Sequence, residues 1–328
     1  MFWKAHWRDI SALALSPEAN IVISGDIDGN VFQWSILTGE KLRVIRQPTR
    51  KGTGIGKIAF SPNGEKLALS WNKGLLEGQL EVYDAQTWEL NFTVYDEEIF
   101  DFAWKPTGEN LVSASTTLRV IDPVTGKIVL NLPKHHQSRV SCVAYTPDSK
   151  RLISVGDFYD PSLILLDAIT FEEIAKVYED ELDKVWINNP YEILYISNDE
   201  LVLNQDNDPV RWNFTTGRIK QEFKFPPLNN GRTWTTISLD GNLLAYAEVH
   251  GYENLPINWD ELTVNRDEYW LRDRKASSAT IKIYDRRIGQ ITHSFDGYKD
   301  DVRSLMFAPD SSFLLTGDWE GYIRIWKL

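Results

Sequence analysis

Short segments in which apolar and polar residues alternate recur along the chain, and each segment ends in a large apolar residue that is usually followed by Asp or Asn. Alternation with a period of two predicts a β-strand that buries one of its faces. The segments are Val31–Trp34, Leu80–Asp84, Leu118–Asp122, Leu163–Asp167, Val210–Asn213, Ile281–Asp285 and Ile323–Trp326. The pattern therefore predicts seven similar structural units.

A tight turn between two hydrophobic strands precedes each segment, and in five units this turn contains a proline. Counted from the proline or its equivalent, the turns lie at positions 17, 62, 106, 147, 197, 239 and 309, so the spacings are 45, 44, 41, 50, 42 and 70 residues. Five of these spacings are close to the period of about 40 to 45 residues that four-stranded propeller blades have. The long spacing indicates an insertion, which we place at about residues 248–279.

The spacing and the strand pattern resemble the WD-repeat family. The Trp-Asp pair that names the family is only approximated, at Tyr83-Asp84, Trp212-Asn213, Tyr284-Asp285 and Trp326-Lys327. The resemblance implies an all-β fold, a seven-bladed β-propeller in which each blade is a four-stranded antiparallel sheet. It extends over residues 1–328, which we therefore expect to form a single WD-repeat propeller domain with the insertion in blade six.

Members of this family tie the strands of a blade together through a hydrogen-bonded chain of His, Ser or Thr, Asp and Trp. Blade one matches this pattern at His6, Ser24, Asp28 and Trp34. Blades four and seven match it in part. Blade four keeps His136 but has Val155 and Leu166, and blade seven keeps Thr316 and Trp326 but has Tyr298 for His and Glu320 for the acid.

Closure of the propeller is predicted from the two ends of the sequence. The last residue, 328, comes two positions after the third strand of blade seven, so this blade lacks an outermost strand. Residues Phe2 to Ala5 precede blade one and are the unassigned segment that could pair there. We therefore expect the N-terminal strand to complete the C-terminal blade and to cover its sheet edge.

Composition narrows the kinds of partner. Lys plus Arg number 35 and Asp plus Glu 47, so the net charge is -12, which disfavours nucleic acid and favours a protein or a basic peptide. The one cysteine, Cys142, excludes an internal disulfide and a cysteine zinc cage. Because no secretory signal and no run of about 18 apolar residues occurs, we expect a cytoplasmic protein without membrane contact, as a monomer or a subunit of a larger complex.

Acidic residues begin five of the seven loops between the second and third strands of the blades. In the family these loops surround one mouth of the central channel, so the acids would form a crescent that attracts a basic peptide or a cation. The alternative is turn chemistry, since Asp is favoured wherever its side chain can bond the backbone of its own turn. The five residues are Asp26, Asp157, Asp206, Glu248 and Asp318.

Aromatic residues accompany these acids on the same predicted face. Trp and Tyr supply many of the anchor residues of protein interfaces, so we expect these side chains to bind a partner. The blade-six insertion is either a binding lobe or cap, or a loop that packs on its own blade. The aromatic candidates are Trp7, Trp71, Phe158, Tyr159 and Trp319 in the loops and Trp259 and Trp270 in the insertion.

The sequence predicts neither an enzyme nor a cofactor. It contains no nucleophile elbow and no phosphate-binding glycine loop, and its five histidines lack the spacing of metal ligands. We therefore expect a non-catalytic protein–protein interaction scaffold that binds its partner on the loop face. The alternative is an enzyme or a small-molecule or cation binder whose carboxylates, crowded at the channel mouth, have raised pKa values.

Overall fold

The structure is a computed structural model, and it describes residues 1–48, 54–72, 77–177, 192–204, 209–221, 234–254 and 274–328. Within these ranges the chain forms strands and turns and no helix. The strands make seven antiparallel sheets of four strands each. The fold is thus the all-β, seven-bladed β-propeller that the spacing predicts, and the seven predicted third strands coincide with strands of the structure, apart from Asp122, which follows its strand.

The chain divides into two compact units. Unit one comprises Met1–Leu13, Ala19–Gly54 and Pro226–Leu328, and unit two comprises Ala14–Glu18 and Ile55–Phe225. Unit one contains blade one apart from the end of its first strand, together with blades six and seven. Its strands are β1 (Phe2–Lys4), β2 (Ile10–Leu15), β3 (Ile21–Asp26), β4 (Val31–Ser35), β5 (Lys41–Arg46), β22 (Thr235–Ile237), β23 (Leu243–Asn254), β24 (Arg274–Asp285), β25 (Gln290–Tyr298), β26 (Val302–Phe307), β27 (Phe313–Asp318) and β28 (Tyr322–Lys327).

Unit two contains blades two to five. Its strands are β6 (Ile55–Phe60), β7 (Lys66–Asn72), β8 (Gly78–Asp84), β9 (Leu90–Asp96), β10 (Asp101–Trp104), β11 (Leu111–Ala114), β12 (Leu118–Ile121), β13 (Ile128–Asn131), β14 (Val140–Tyr145), β15 (Arg151–Gly156), β16 (Leu163–Asp167), β17 (Glu173–Val177), β18 (Glu192–Ile196), β19 (Glu200–Asn204), β20 (Val210–Asn213) and β21 (Ile219–Gln221).

Burial follows the position of a strand within its blade. Second strands such as β11 and β15 are almost wholly buried, because their sheets pack against a neighbouring sheet on each side. In unit two, Val112 and Val120 of blade three pack with Val143, Leu152 and others of blade four in one hydrophobic cluster. The outermost strand β13 is exposed instead, so this unit is held together by apolar packing between the inner strands of its blades.

The N-terminal strand completes blade seven, as predicted. In this sheet β1 pairs antiparallel with β28, with Phe2 opposite Arg324 and Lys4 opposite Tyr322. Beyond the strand, the N–H of Ala5 donates to the carbonyl of Gly321 at 2.8 Å. Blade seven therefore takes one strand from the start of the sequence and three from its end.

Blade six differs from the expectation at its insertion. Strands β23 and β24 are each 12 residues long and stay paired from Leu243 opposite Asp285 to Asn254 opposite Arg274. Residues 248–254 and 274–279, expected to be loop, are therefore an extension of the central hairpin of this blade. Trp259 and Trp270 lie outside the described residues.

Candidate protein-binding surface

The hydrogen-bonded chain of blade one is present, with a different acid from the predicted one. His6 lies 2.6 Å from the Ser24 hydroxyl through Nε2 and 2.9 Å from the carboxylate of Asp26 through Nδ1, and Trp34 Nε1 donates to the same Ser24 oxygen at 2.8 Å. Because a carboxylate can only accept, Nδ1 carries the proton toward Asp26, so Nε2 of the neutral imidazole accepts from the Ser24 hydroxyl while the indole donates to the Ser24 oxygen. The predicted acid, Asp28, is instead 3.8 Å from the guanidinium of Arg8.

Asp26 also fixes the turn that follows it. Its carboxylate accepts the N–H groups of Asp28 and Asn30 at 3.0 and 2.8 Å and the side-chain amide of Asn30 at 2.8 Å. Burial alone would raise the pKa of Asp26, but the hydrogen bonds from His6 and Asn30 outweigh it and hold the pKa below its ordinary value. Asp26 is thus a buried carboxylate whose hydrogen bonds are made within blade one, and it is not at the surface where a partner-binding residue was expected.

Asp318 occupies the corresponding position in blade seven and is equally buried. Its carboxylate accepts the N–H of Tyr322 at 2.8 Å and lies 3.5 Å from the guanidinium of Arg324. Its pKa is raised, chiefly because burial disfavours the charged form. Turn chemistry, the alternative interpretation of the acidic loops, therefore accounts for Asp318 as it does for Asp26.

The partial matches in blades four and seven also form hydrogen-bonded chains. Tyr298 replaces the histidine as expected, since its hydroxyl lies 2.7 Å from Thr316 Oγ1 and accepts from Trp326 Nε1 at 2.5 Å. In blade four, His136 Nε2 is 2.8 Å from the hydroxyl of Ser154, so the hydroxyl position is Ser154 rather than Val155. Burial lowers the pKa of His136 well below its ordinary value, which keeps the imidazole neutral.

Three of the predicted aromatic residues lie at the surface. Trp7, between β1 and β2 in unit one, is 93% exposed, and Tyr159, between β15 and β16 in unit two, is 81% exposed. Phe158 is also exposed and meets Tyr159 edge to face at 5.6 Å. Large aromatic side chains that remain in water are available to a partner.

Trp71 is not a surface residue, contrary to the prediction. It is only 7% exposed, and its Nε1 donates to the carboxylate of Glu81 on the neighbouring strand β8 at 2.8 Å. The same carboxylate accepts the hydroxyl of Tyr83 at 2.6 Å. The indole therefore belongs to the interior of blade two.

The remaining predicted residues are intermediate in exposure or undescribed. Asp157 accepts the N–H of Tyr159 at 3.0 Å and the hydroxyl of Ser138 at 2.9 Å, so it fixes the loop that carries the exposed aromatic pair. Glu248 lies within β23, 3.7 Å from the ammonium of Lys282. Asp206, like the two insertion tryptophans, lies outside the described residues.

A charged cluster in unit one was not predicted. The guanidinium of Arg303 is 3.6 Å from the carboxylate of Asp9 and stacks 4.0 Å above the ring of Trp319. Burial raises the pKa of the neighbouring Asp301 to about 7, with Arg303 opposing and Asp300 reinforcing the rise. The repeated Asp just before the first strand of a blade, in Asp9-Ile10 and Asp301-Val302, is the sequence signal that could have revealed this cluster.

Membrane spans and metal sites can be assessed over the described residues. Across those ranges no helix has the length and apolarity that crossing a bilayer requires. Among the same residues, no group of three or more His, Cys, Asp or Glu side chains could hold a metal ion.

Sequence comparison agrees with the fold. The family model described as WD domain, G-beta repeat matches residues 126–162, from the end of blade three into blade four, and residues 289–327, which include the three C-terminal strands of blade seven. The resemblance to WD-repeat proteins that the sequence pattern indicates is thus confirmed. A second family model, described as eukaryotic translation initiation factor eIF2A, matches residues 16–125.

Individual relatives are distant. The guanine nucleotide-binding protein subunit beta of Arabidopsis thaliana is 22% identical over 355 residues, which cover 98% of this chain and 81% of that protein. The WD repeat and SOCS box-containing protein 1 of Xenopus tropicalis is 31% identical over 144 residues, 42% of this chain and 33% of that protein. Eukaryotic translation initiation factor 3 subunit I of Emericella nidulans is 21% identical over 168 residues, 47% of this chain and 49% of that protein. The matches to the last two thus span about a third and about half of those proteins.

Proposed function

We propose that this WD-repeat protein is a non-catalytic scaffold that binds a partner protein through the exposed aromatic residues of its loops. The observation that carries the proposal is Trp7, an indole almost fully in water although Trp is among the most buried residues on average. Similarity to WD-repeat proteins supports a scaffold role in general. Trp7 and the pair Phe158 and Tyr159 supply the specific candidates for contact.

The backbone on both sides of Trp7 is fixed before any partner arrives. The N–H of His6 donates to the carbonyl of Gly321 at 3.0 Å, and the His6 ring is held by Ser24 and Asp26. On the other side, the carbonyl of Asp9 accepts the N–H of Ile27 at 3.2 Å. A side chain presented from a fixed backbone loses little conformational entropy on binding, which favours affinity.

The loop of Phe158 and Tyr159 is fixed in a similar way. Besides the two hydrogen bonds of the Asp157 carboxylate, the carbonyl of Asp157 accepts the N–H of Asp160 at 3.1 Å. The carboxylate of Asp160 in turn accepts the N–H of Gln137 at 2.5 Å. This loop therefore presents its aromatic pair from a rigid turn in unit two.

We propose further that the partner bound by Trp7 or by the pair Phe158 and Tyr159 is basic and that binding takes place in the cytoplasm. The net charge of -12 favours encounter with a positively charged partner, and this attraction is screened by salt. The alternative function, a small-molecule or cation site built on the loop carboxylates, has less support. Asp26 and Asp318, two of the carboxylates it would use, are buried and already bonded within their own turns.

The proposal is tested by quantitative affinity capture with Trp7→Ser and with the double variant Phe158→Ser/Tyr159→Ser. Matched controls are Leu37→Ser and Ile169→Ser, which remove exposed apolar side chains from turns at the opposite strand ends of blades one and four. We expect both controls to keep the captured partner and at least one aromatic variant to lose it. Binding of the purified partner should weaken about 30-fold or more for an anchor residue worth about 2 kcal/mol.

Melting temperatures within about 2 °C of the wild type would show that the variants are folded. The scaffold proposal fails if the aromatic variants and the controls retain the same partners with the same affinity. A small molecule or metal that copurifies in stoichiometric amount, detected by mass spectrometry, would favour the alternative function.

A further inference from the structure

The outer strand of blade three, β13, is the most apolar exposed segment among the described outer strands. All four of its residues, Ile128 to Asn131, are exposed, with Val129 at 59%, and Val124 in the preceding turn is 75% exposed. The other described outer strands either carry charged residues, as β5 and β17 do, or bury part of their length, as β9 does. Such charges commonly protect sheet edges from association, and β13 has none.

Two backbone positions of β13 face away from the sheet. The N–H of Leu132 donates to the carbonyl of Leu118 at 2.9 Å, so Asn131, one residue earlier, directs its N–H and C=O outward. The N–H of Asp122 donates to the carbonyl of Lys127 at 2.9 Å, so Ile128 likewise directs its groups outward. The edge thus offers hydrogen bonds at both ends of an apolar strip, although a register shift near Val129 interrupts the regular ladder.

The charge around this strip is the reverse of the charge of the whole chain. From residue 123 to residue 147 the sequence has no Asp or Glu, while Lys127 and Lys134 flank the strip and are exposed. Among the described residues neither lysine forms an ion pair. The adjacent carboxylate of Asp122 accepts the N–H groups of Val124 and Thr125, each at 2.8 Å, and is thereby engaged in its own turn.

We propose that the edge formed by residues 124–134, here called the blade-three edge, docks an extended segment of a partner protein that has apolar residues flanked by acidic ones. The apolar strip supplies burial, Ile128 and Asn131 supply backbone hydrogen bonds, and Lys127 and Lys134 select negative charge. A second copy of this chain is a poorer occupant, because pairing two copies of β13 would bring four lysines together with no acid from either strip. The proposal concerns different residues from Trp7 and the aromatic pair, and it requires a partner segment of opposite charge.

The test uses two fluorescein-labelled peptides of identical apolar centre, Val-Ile-Val-Leu-Val, one with two Glu at each end and one with two Lys at each end. Fluorescence anisotropy measures their binding to the full chain. We expect the acidic peptide to bind, more weakly as salt rises, and the lysine peptide to bind at least tenfold more weakly. We expect Val129→Asp to weaken binding of the acidic peptide by tenfold or more.

Charge reversal gives the sharper result. The double variant Lys127→Glu/Lys134→Glu should no longer bind the acidic peptide and should bind the lysine peptide. Matched controls are Ile174→Asp on β17 and Lys150→Glu, an exposed apolar residue and an exposed lysine of blade four, and both should bind like the wild type. Circular dichroism and melting temperature confirm that each variant is folded.

Three outcomes overturn the proposal. One is an acidic peptide that shows no binding at about 1 mM, the weak limit for a specific contact. Another is an equal loss of affinity for the acidic peptide in Val129→Asp and Ile174→Asp. The third is a dimer in sedimentation analysis that Val129→Asp dissolves, which would assign the edge to a second copy. Because Trp7→Ser should leave peptide binding unchanged, failure here is distinguishable from failure of the loop-face scaffold.

Discussion

At the residue scale, two aspartates that are two positions apart have different roles. Asp26 connects His6 to the turn of blade one, whereas Asp28 lies 3.8 Å from the guanidinium of Arg8. We expect Asp26→Ala to lower the free energy of unfolding by about 2 to 4 kcal/mol, because it leaves buried donors without acceptors. Asp28→Ala should cost less than about 0.5 kcal/mol, as partly exposed ion pairs contribute little.

Urea unfolding followed by fluorescence measures both changes. The comparison needs no further control, since each variant removes one carboxylate from the same turn. Equal destabilisation by the two substitutions would contradict the assignment of Asp26 as the acid of the hydrogen-bonded chain.

Asp301 predicts a pH dependence of stability. Burial raises its pKa in the folded protein to about 7 from an ordinary 3.8, so between these values the folded state holds a proton that the unfolded state has lost. Stability contributed by this group therefore falls as the pH rises from about 4 to about 7 and is level above that. Asp301→Asn should remove this dependence, so the free energy of unfolding of the variant should rise relative to that of the wild type between about pH 4 and pH 7.

Chemical unfolding of both proteins at several pH values measures the difference. Asp310→Asn provides a contrast, because hydrogen bonds from Ser312 lower the pKa of Asp310, and stability from that carboxylate is lost only as the pH falls below about 4. A constant difference between Asp301→Asn and the wild type from pH 4 to pH 7 would contradict the raised pKa of Asp301.

At the element scale, the closing strand β1 has an inward-facing and an outward-facing set of backbone groups. Because the carbonyl of Met1 accepts the N–H of Ile325 at 2.8 Å, Trp3 lies in the next hydrogen-bonded pair and Phe2 faces outward. Trp3→Pro should thus destabilise the protein by about 1 to 3 kcal/mol more than Trp3→Ala does, since it removes a ladder N–H as well as the indole. Phe2→Pro should cost about 1 kcal/mol or less.

Thermal unfolding of the three variants separates the two effects. Equal melting temperatures for Trp3→Pro and Trp3→Ala would mean that the β1 ladder contributes nothing to closure of blade seven.

The sequence predicts elements better than contacts in this protein. Turn spacing reveals the blades, and the missing fourth strand of blade seven reveals the pairing of β1 with β28. Side-chain roles depend on distances across strands, which a linear pattern does not contain. The sequence places Trp71 in a loop, whereas in the structure its indole donates across the sheet to Glu81, ten residues away in sequence. In the same way, the sequence alone does not distinguish the roles of Asp26 and Asp28.

The extent of the blade-six hairpin was unpredictable for a related reason. Beyond Val249 and Ala279, which pack in the hydrophobic cluster of blades six and seven, residues 250–254 and 274–278 are mostly polar in sequence. The 12-residue strands are instead held by pairing with each other, from Glu248 opposite Thr280 to Asn254 opposite Arg274. Backbone pairing of this kind leaves a weak pattern in sequence.

At the scale of the whole molecule, the blade-three edge differs in charge from the chain as a whole. The net charge of -12 favours basic partners at the loop face, whereas the acid-free blade-three edge favours an acidic segment. Two partners of opposite charge could then be held by one chain without competing for the same residues.

Because the two ends of the sequence meet in one sheet, the 328 residues should tolerate circular permutation. A linker of about four residues would join Leu328 to Met1 beside β28, and new ends would lie between Gln86 and Thr87, exposed residues of the turn between β8 and β9. Blade two would then take its outermost strand from the new N-terminus, which repeats the closure that blade seven has natively. We expect a folded protein that melts within about 5 °C of the wild type. Opening the chain between Leu69 and Ser70 in the buried strand β7 should prevent folding, and equal stability of the two permutants would refute closure by strand pairing.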